Sequence, residues 1–491
     1  MSSRSQIFIL MAIALLVRIA ALIPFSMHHP DEIFQYTEQA HRLVFGYGTV
    51  PWEYRYGMRS WLVPLLSAPL MALGHLIAPS TLLYAKLPTF LSIASGLSIT
   101  WSAWTNGRRM GPLHGLIAGF VAAIWFEQIF FSVHMLTEVL ATGCILPAAA
   151  LLTAKDVSRR QWLVSGFLLG LAFVFRFQYA PAIALLLLIT SGRYFRRCWL
   201  PIFSGGLIAL LLSTTIDLAM GQGPFSWIMV NVQQNLILNR SANYGVDPAT
   251  AYLGMIWQYW GWAAALLFLL LIPAVERNRA IFYVALLNIL VHMAIGHKEY
   301  RFIFLSLTIL VILSAIGTAE LAVRFTARYK ANRLIVTSAL LLFWFGSSVS
   351  LAIARPMVSR WTAFGSGMEL ARNYGAFPGS CGIALHRLTF WQTGGYSYLH
   401  RDIPTYLTGW SDDDHMSQRD FRNAAVAFNA VIAPQGTIAD RFGFRALQCA
   451  GSESSESEPD ARVCLYIRPG GCDPHLAARW TIQSVLLRHD Q

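Results

Sequence analysis

Residues 297–323 read HKEYRFIFLSLTILVILSAIGTAELAV: four ionisable groups, His297, Lys298, Glu299 and Arg301, run into 22 residues (302–323) whose one charge is Glu320. About 20 apolar residues at about 1.5 Å rise each make a helix that crosses the bilayer core. The stretch therefore reads as a transmembrane helix with a charged end. Working outward, the pattern recurs. Apolar segments fall at about 7–23, 82–104, 113–126, 133–152, 161–175, 179–189, 199–219, 253–273, 280–296, 302–323 and 334–354, eleven in all. Of the 491 residues, 55% are hydrophobic and 13% charged. Soluble domains carry about 25% charged residues, so a purely soluble enzyme is excluded, and a disordered chain with it. The runs have helical length, which sets barrels aside. Segments 113–126, 161–175 and 179–189 are short and are expected to be broken or tilted helices packed inside protein. Arg18 sits inside the first segment and no small-residue cleavage site follows, so the segment reads as a retained span.

The net charge is +12, from 37 Lys+Arg against 25 Asp+Glu. In a membrane protein this excess belongs to cytoplasmic loops rather than to a nucleic-acid surface. Arg108 and Arg109; Lys155, Arg159 and Arg160; Arg193, Arg196 and Arg197; Arg277 and Arg279; and Arg324, Arg328, Lys330 and Arg333 fall on one side under strict alternation. The other side holds Asp31, Glu32, Glu38, Glu53, Asp217 and Asp247. This places the N-terminus in the cytoplasm and the C-terminus outside it. Lys supplies four of the 37 basic residues, a bias that points to a GC-rich bacterial genome. The expected location is therefore a bacterial inner membrane ahead of an endoplasmic-reticulum membrane.

Two regions exceed a plain connector. Residues 24–81 form a first outer loop, with moderately apolar stretches such as 61–76 that suit helices lying in the interface. From 355 to 491 the composition turns soluble, with strand-like runs at 381–385, 424–433 and 463–467 and a turn-rich acidic loop at 451–459. The expected organisation is a membrane module over 1–354 and an extracytoplasmic α/β domain over 355–491. Four of six cysteines, Cys381, Cys449, Cys464 and Cys472, lie in that tail, an even number that fits disulfides outside the cytoplasm. Of three possible pairings, Cys449 with Cys464 would staple the acidic loop. The spacings lack a C-x₂-C pair, which disfavours zinc. Cys144 and Cys198 read as packing residues.

Three places carry groups suited to chemistry. His28-His29-Pro30-Asp31-Glu32 follows the first span. Pro and two acids fit a helix's first turn, so capping alone would explain the pair. Paired carboxylates at a membrane surface are also candidates for use. His297, Lys298 and Arg301 crowd one junction; a helix would set His297 and Arg301 on one face. With Glu299 they make a phosphate site, the plainer alternative being snorkelling cations. A polar loop before the eighth span holds Tyr244 and Asp247, as a ligand loop or an ordinary one would. Arg176, at the outer end of the fifth span, is a functional candidate or the partner of a structural carboxylate.

These places together resemble glycosyltransferase family 22, the polyprenyl- or dolichyl-phosphate-mannose-dependent mannosyltransferases of N-glycan precursor and GPI-anchor assembly. Asp31-Glu32 followed by Gln35, Glu38, Trp52-Glu53-Tyr54 and Met58-Arg59-Ser60-Trp61 looks like that family's first luminal loop. His297 to Phe302 is similar to its HKEERF string, with Tyr300 in place of the second Glu. Tyr244-Gly245-Val246-Asp247-Pro248 resembles its YG-x-x-P loop, without the usual residues after it. The resemblance covers about residues 5–325. It implies a GT-C architecture: an α-helical polytopic membrane protein of about eleven transmembrane helices, with its site on the non-cytoplasmic face. It further implies a lipid-phosphate sugar donor, most readily mannose, a glycan or glycolipid acceptor, and single displacement with inversion.

On that reading a carboxylate takes the acceptor hydroxyl's proton, Asp31 first and Glu32 as its alternative. Fixed cations hold the leaving phosphate: His297, Lys298 and Arg301, with Arg59 and Arg176 beside them. Glu53, Tyr244 and Asp247 are expected around the acceptor. The scheme requires no cofactor and no metal; adjacent His28 and His29 are poor chelating geometry. The rival class is a transporter or flippase of a lipid-linked or small polar substrate. It is disfavoured by the absence of an internal repeat and by an expected near-absence of carboxylates within spans.

Overall fold

In a computed structural model the run that opened the reading is the helix Phe304–Tyr329, entered through a 3-10 turn at Tyr300–Ile303. The structure describes residues 2–408, 418–437, 442–451 and 462–489. The chain divides into two compact units. The first comprises Met1–Ala21, Ser60–Leu62 and Thr89–Val358; the second comprises Leu22–Arg59, Val63–Pro88 and Ser359–Gln491.

Helix Phe304–Tyr329 is the buried centre of the first unit. Hydrophobicity does not drive one apolar helix onto another in lipid, so small and polar residues make the contact. Ser306 Oγ donates to Ala285 O at 2.8 Å, Ser314 Oγ to Leu267 O at 2.8 Å, and Gln128 Nε2 to Thr308 Oγ1 at 2.7 Å. At Gly317 a Cβ would stand 1.9 Å from Leu270 O, so only glycine admits the neighbouring helix Ala263–Val275.

Among the described residues four helices are long and apolar enough to cross a membrane: Ser3–Leu22, Phe195–Ala219, Tyr300–Tyr329 and Arg333–Ile353. Two bent pairs raise the number to six: Pro112–Ile124 with Phe126–Ser132, bent by 51°, and Ala251–Trp260 with Ala263–Met293, bent by 100°. Leu62–Ile77, Thr137–Leu152 and Phe177–Ser191 are apolar but shorter. Hydropathy marks eleven segments; four to six of the helices have the length and composition of a span. The expectation of a broken helix holds at 113–126. There Trp125 leaves the helix at ψ 129°, and the fully buried Arg18 answers the break. Its guanidinium donates to Ala122 O at 3.3 Å, Ala123 O at 3.0 Å and Gln128 O at 3.3 Å. No proline is involved; a side chain takes the carbonyls that the bend releases.

The second unit carries a five-stranded sheet: β1 (Ile383–His386), β2 (Thr405–Thr408), β3 (Ala430–Pro434), β4 (Arg445–Ala450) and β5 (Val463–Ile467), in the order β2-β1-β3-β5-β4. β1 pairs in parallel with β2 and β3, and β5 runs antiparallel to β3 and β4. Alternation sends Ile383, Leu385 and Ile432 to one face with Leu370, Tyr374 and Val485. Ala384, Val431 and Tyr466 go to the other with Phe421, Ala424 and Ala477. The run expected as a strand at 424–433 starts as helix instead: Gln418–Ala424 and a 3-10 turn at Ala425–Ala427 precede β3. The reason is the helical spacing of Phe421, Ala424 and Ala425, all buried on one face of the sheet. The tail cysteines pair as Cys381–Cys472 and Cys449–Cys464, and the second bridge joins register partners on β4 and β5. Most of the acidic loop expected at 451–459 lies outside the described residues.

The first outer loop packs into this same unit. Glu38, fully buried, accepts hydrogen bonds from Thr49 N at 2.8 Å, Tyr396 N at 3.2 Å, Ser397 N at 2.8 Å and Ser397 Oγ at 2.6 Å. Tyr84 OH donates to Ser397 O at 2.8 Å.

Candidate active site

The sequence expectations divide between two clusters, one in each unit. In the second unit the chain after His29 enters helix, passes through a π-helical stretch at Glu32–Thr37 and continues as Glu38–Phe45. A π segment inserts residues into a helix and often marks functional sites. Here Asp31 precedes it and Glu32 is its first residue. Glu32 turns inward, 4% exposed, and its Oε1 accepts the His28 amide at 2.6 Å. That is the capping role which local sequence allowed. Asp31 stays partly exposed beside His29, whose Nδ1 is 3.3 Å from Oδ1.

Gln35 lies one turn beyond Asp31, buried, and its Nε2 donates to Glu53 Oε1 at 2.8 Å. Tyr54 OH donates to Gln35 O at 2.9 Å, which fixes the short helix Trp52–Arg55 against the π stretch. Burial first, and then the charge of Asp31, push the Glu53 carboxyl up to about 7, against the pull of Arg59 and the Gln35 hydrogen bond. Asp31, Glu53 and Arg59 thus form one electrostatic group. Gln35 Oε1 and Arg59 Nε are buried with no hydrogen-bond partner among the described residues.

In the first unit Arg176 ends the helix Arg159–Phe175 and Arg301 sits in the turn Tyr300–Ile303. Arg176 Nη1 lies 3.1 Å from Glu138 Oε1, and Arg301 Nε lies 3.8 Å from the same oxygen. The two guanidinium groups are 4.5 and 5.4 Å from the Phe302 ring centroid. Arg301 also holds Glu299 with two hydrogen bonds, Nε to Oε2 at 2.7 Å and Nη2 to Oε1 at 3.2 Å. Glu299 Oε1 takes His297 Nε2 at 3.1 Å, and this bond raises the imidazole's pKa against its partial burial.

The expectation that His297 and Arg301 share a helix face is corrected here. Residues 297–299 are not helical, Glu299 is extended at φ −133°, and the Glu299 carboxylate brings the two cations together. Lys298 turns away to backbone carbonyls, with Nζ donating to Asp247 O at 3.1 Å, to Gly296 O at 3.4 Å and to Ile295 O. Asp247 joins through its main chain, its amide donating to Gly296 O at 3.1 Å. Tyr244 is exposed, with its ring 6.2 Å from that of His297.

Sequence reasoning missed Glu138 and Glu127. Both lie in the first turn of apolar helices and both are buried, 1% and 2% exposed. The signal was available: an acid inside an apolar helix is a functional candidate by default.

The family model described as Alg9-like mannosyltransferase family matches residues 7–365. Among curated proteins, GPI mannosyltransferase 3 of Yarrowia lipolytica is 28% identical over 299 residues, covering 58% of this chain and 57% of that one. GPI alpha-1,2-mannosyltransferase 3 of Danio rerio is 26% identical over 354 residues, covering 64% and 58%. The chain thus spans a little over half the length of these relatives. They are eukaryotic proteins, and they lean against the bacterial inner membrane that the Arg bias suggested. Among solved structures, ArnT from Cupriavidus metallidurans bound to undecaprenyl phosphate aligns with a TM-score of 0.58 over 96% of this chain and all of that one, at 12% identity. Its apo state aligns at 0.60 over 95% and 98%. That likeness speaks for the fold, a GT-C-like multi-pass membrane architecture. With well over half of its length matched by one family model, the chain belongs to the Alg9-like mannosyltransferase family.

Proposed function

We propose that the chain transfers a mannosyl group from a polyprenyl-phosphate donor to a hydroxyl of a glycolipid acceptor, with inversion at the anomeric carbon. The names of the relatives make a GPI-type glycolipid the first acceptor to test. The observation that carries the reading is the pairing of Arg176 and Arg301 on Glu138. Two arginines from separate helices meet at a buried carboxylate, next to the string that resembles the family's signature. An anion arriving there finds guanidinium donors already oriented and their mutual repulsion already relieved, which is the preorganisation a leaving phosphate requires. The Arg–carboxylate network also explains why neither charge is expelled from a buried setting.

In the second unit Asp31 is the proposed base. Its neighbour Glu32 is occupied by the His28 amide, whereas Asp31 is partly exposed and grouped with Glu53 and Arg59. Transfer then forms the bond from acceptor oxygen to the anomeric carbon and breaks the bond from that carbon to phosphate oxygen. The acceptor proton passes to a carboxylate base, for which Asp31 is the candidate in the second unit, and the leaving electron pair stays on polyprenyl phosphate, for which Arg301, Arg176 and His297 are the candidate partners in the first. Glu53, Tyr244 and Asp247 remain the proposed acceptor-side residues. Lys298 acts by bracing the loop 295–298 and not by touching phosphate. Eleven crossings, with the N-terminus cytoplasmic and the tail outside, complete the proposal, the shorter apolar helices crossing by packing against longer ones. The test is incubation of the purified protein with polyprenyl-phosphate mannose and glycolipid acceptors, followed by mass analysis. Acceptor-dependent release of polyprenyl phosphate supports the reading, and its absence with every acceptor refutes it.

A further inference from the structure

Glu127 belongs to none of the roles above, yet it is a buried carboxylate, 2% exposed, bonded to the residue between Glu299 and Arg301. It lies at a junction of three interruptions in the helical ladder. Trp125 is the break between Pro112–Ile124 and Phe126–Ser132. Trp260 ends Ala251–Trp260, immediately before Gly261 turns the chain at φ +54°. Tyr300 opens the turn that leads into Phe304–Tyr329. Each break sends one side-chain donor to the same carboxylate. Trp125 Nε1 donates to Oε2 at 3.0 Å, Trp260 Nε1 donates to Oε1 at 3.0 Å, and Tyr300 OH donates to Oε1.

All four side chains are buried, and no cation pairs with Glu127 among the described residues. The Tyr259 ring stacks on Tyr300 with centroids 4.2 Å apart, closing the phenol in place. A buried carboxylate satisfied by neutral donors is costly to disturb, because removing any one donor leaves polar atoms unpaired. Tyr300 stands between Glu299 and Arg301, the residues that form the donor cluster. It is also the position at which this chain departs from the string it resembles. A glutamate at 300 would set a second carboxylate against Glu127, whereas tyrosine offers it a proton donor.

We infer that Glu127 is a positioning residue: through its hydrogen bond with Tyr300 it sets where Arg301 and Glu299 stand, and so where the donor's phosphate is held. The inference rests on the phosphate reading of the Arg176–Arg301 cluster. Misplacing a binding group by about 1 Å costs on the order of 100-fold, so the effect belongs in donor use and not in acceptor use. Tyr300→Phe removes the bond while keeping the ring. Tyr300→Glu alone makes two carboxylates face each other. Glu127→Gln combined with Tyr300→Glu restores a donor–acceptor pair with the roles exchanged, because the introduced amide can donate to the introduced carboxylate.

The experiment uses the full chain in lipid nanodiscs. It measures donor and acceptor KM with polyprenyl-phosphate mannose, binding of undecaprenyl phosphate as a sugar-free probe, and thermal unfolding. Tyr300→Phe is expected to raise donor KM and weaken probe binding about tenfold or more, with acceptor KM unchanged, and Glu127→Gln, whose carbonyl oxygen can still accept from Tyr300 OH, is expected to be milder. Tyr300→Glu should be the worst variant, and adding Glu127→Gln to it should recover most of the loss. A double variant no better than Tyr300→Glu alone overturns the inference. So does a Tyr300→Phe variant that melts lower but keeps wild-type donor KM. A wild type that binds no undecaprenyl phosphate and turns over no donor overturns the phosphate reading itself, and is told apart by that.

Discussion

Asp31 and Glu32 are adjacent, and the same chemistry is put to two uses by burial and partners. Glu32 closes its own turn on the His28 amide, so Glu32→Gln exchanges a charged acceptor for a neutral one at a buried hydrogen bond. The expected loss is about 1 kcal/mol of stability, with turnover per folded molecule unchanged. Asp31→Asn removes basicity while preserving size. It should slow transfer about 10²–10⁴-fold and leave undecaprenyl phosphate binding intact. Parallel turnover and melting curves decide the matter. Equal turnover losses for both variants would put the pair back together as a capping motif. Arg301→Ala should differ from Asp31→Asn in probe binding, since the proposed phosphate site loses charge: both probe binding and turnover should fall. It also leaves Glu299 and Glu138 each short of a partner, so Arg301→Lys is the better-tolerated control.

At the scale of elements, the breaks matter as much as the helices. Arg18 holds the carbonyls released at Trp125, and among the described residues it does so without a carboxylate partner. Arg18→Leu should leave two or three buried carbonyls unanswered, at about 1–3 kcal/mol each. The expected result is a lower melting temperature and lower yield, with donor KM preserved in the folded fraction; a change in donor KM would show that the break also governs the site. Hydropathy alone made the apolar helices legible, because side-chain transfer into lipid is a sum over residues. Segment length marked 113–126 as broken, but could not show what holds the break, an arginine 107 residues earlier in the chain, nor the bend at Gly261, a glycine with positive φ. The strands β1 and β5 were legible from short β-rich runs. Residues 424–427 were not, because alanine and valine there serve a helical face. In the site, the string at 297–302 pointed to Arg301, and an intramembrane arginine pointed to Arg176. Glu138 and Glu299 were not read as the groups that join them, since bridging is a property of tertiary placement. Lys298 shows the converse: composition made it a phosphate ligand, and its ammonium is spent on three carbonyls.

At the scale of the whole molecule, the second unit assembles segments separated by nearly three hundred residues. Glu38 is its tie, and Glu38→Ala should leave the Thr49, Tyr396 and Ser397 donors unpaired and expose the first outer loop to limited proteolysis ahead of global unfolding. A second tie is a histidine contact. His41 Nε2 lies 3.1 Å from His400 Nδ1, the rings of His75 and Tyr84 are 5.7 and 4.0 Å from that of His400, and His41 Nδ1 meets Tyr47 O at 3.1 Å. Burial holds His41 at about 4; burial, then His41 and His75, hold His400 at about 4, against an ordinary 6.5. Both folded values lie below the unfolded one, so the unfolded chain takes up protons first on acidification. The stability from these neutral rings is complete above about 6.5 and is lost as pH falls toward 4. Glu53 acts with the opposite sign: raised to about 7 from 4.5, it favours the folded state as pH falls through that window. A bare acid-melting curve mixes these opposing contributions, and a difference experiment separates them. His41→Gln removes one titrating ring and leaves Glu53 in place. Its melting temperature should fall below wild type near neutral pH, where packing is lost, and the deficit should shrink at about pH 5, where wild type carries the His41 penalty in addition to that of His400 and the variant does not. A deficit that stays constant between the two conditions would mean that His41 protonates without cost, and that the contact with His400 is packing alone.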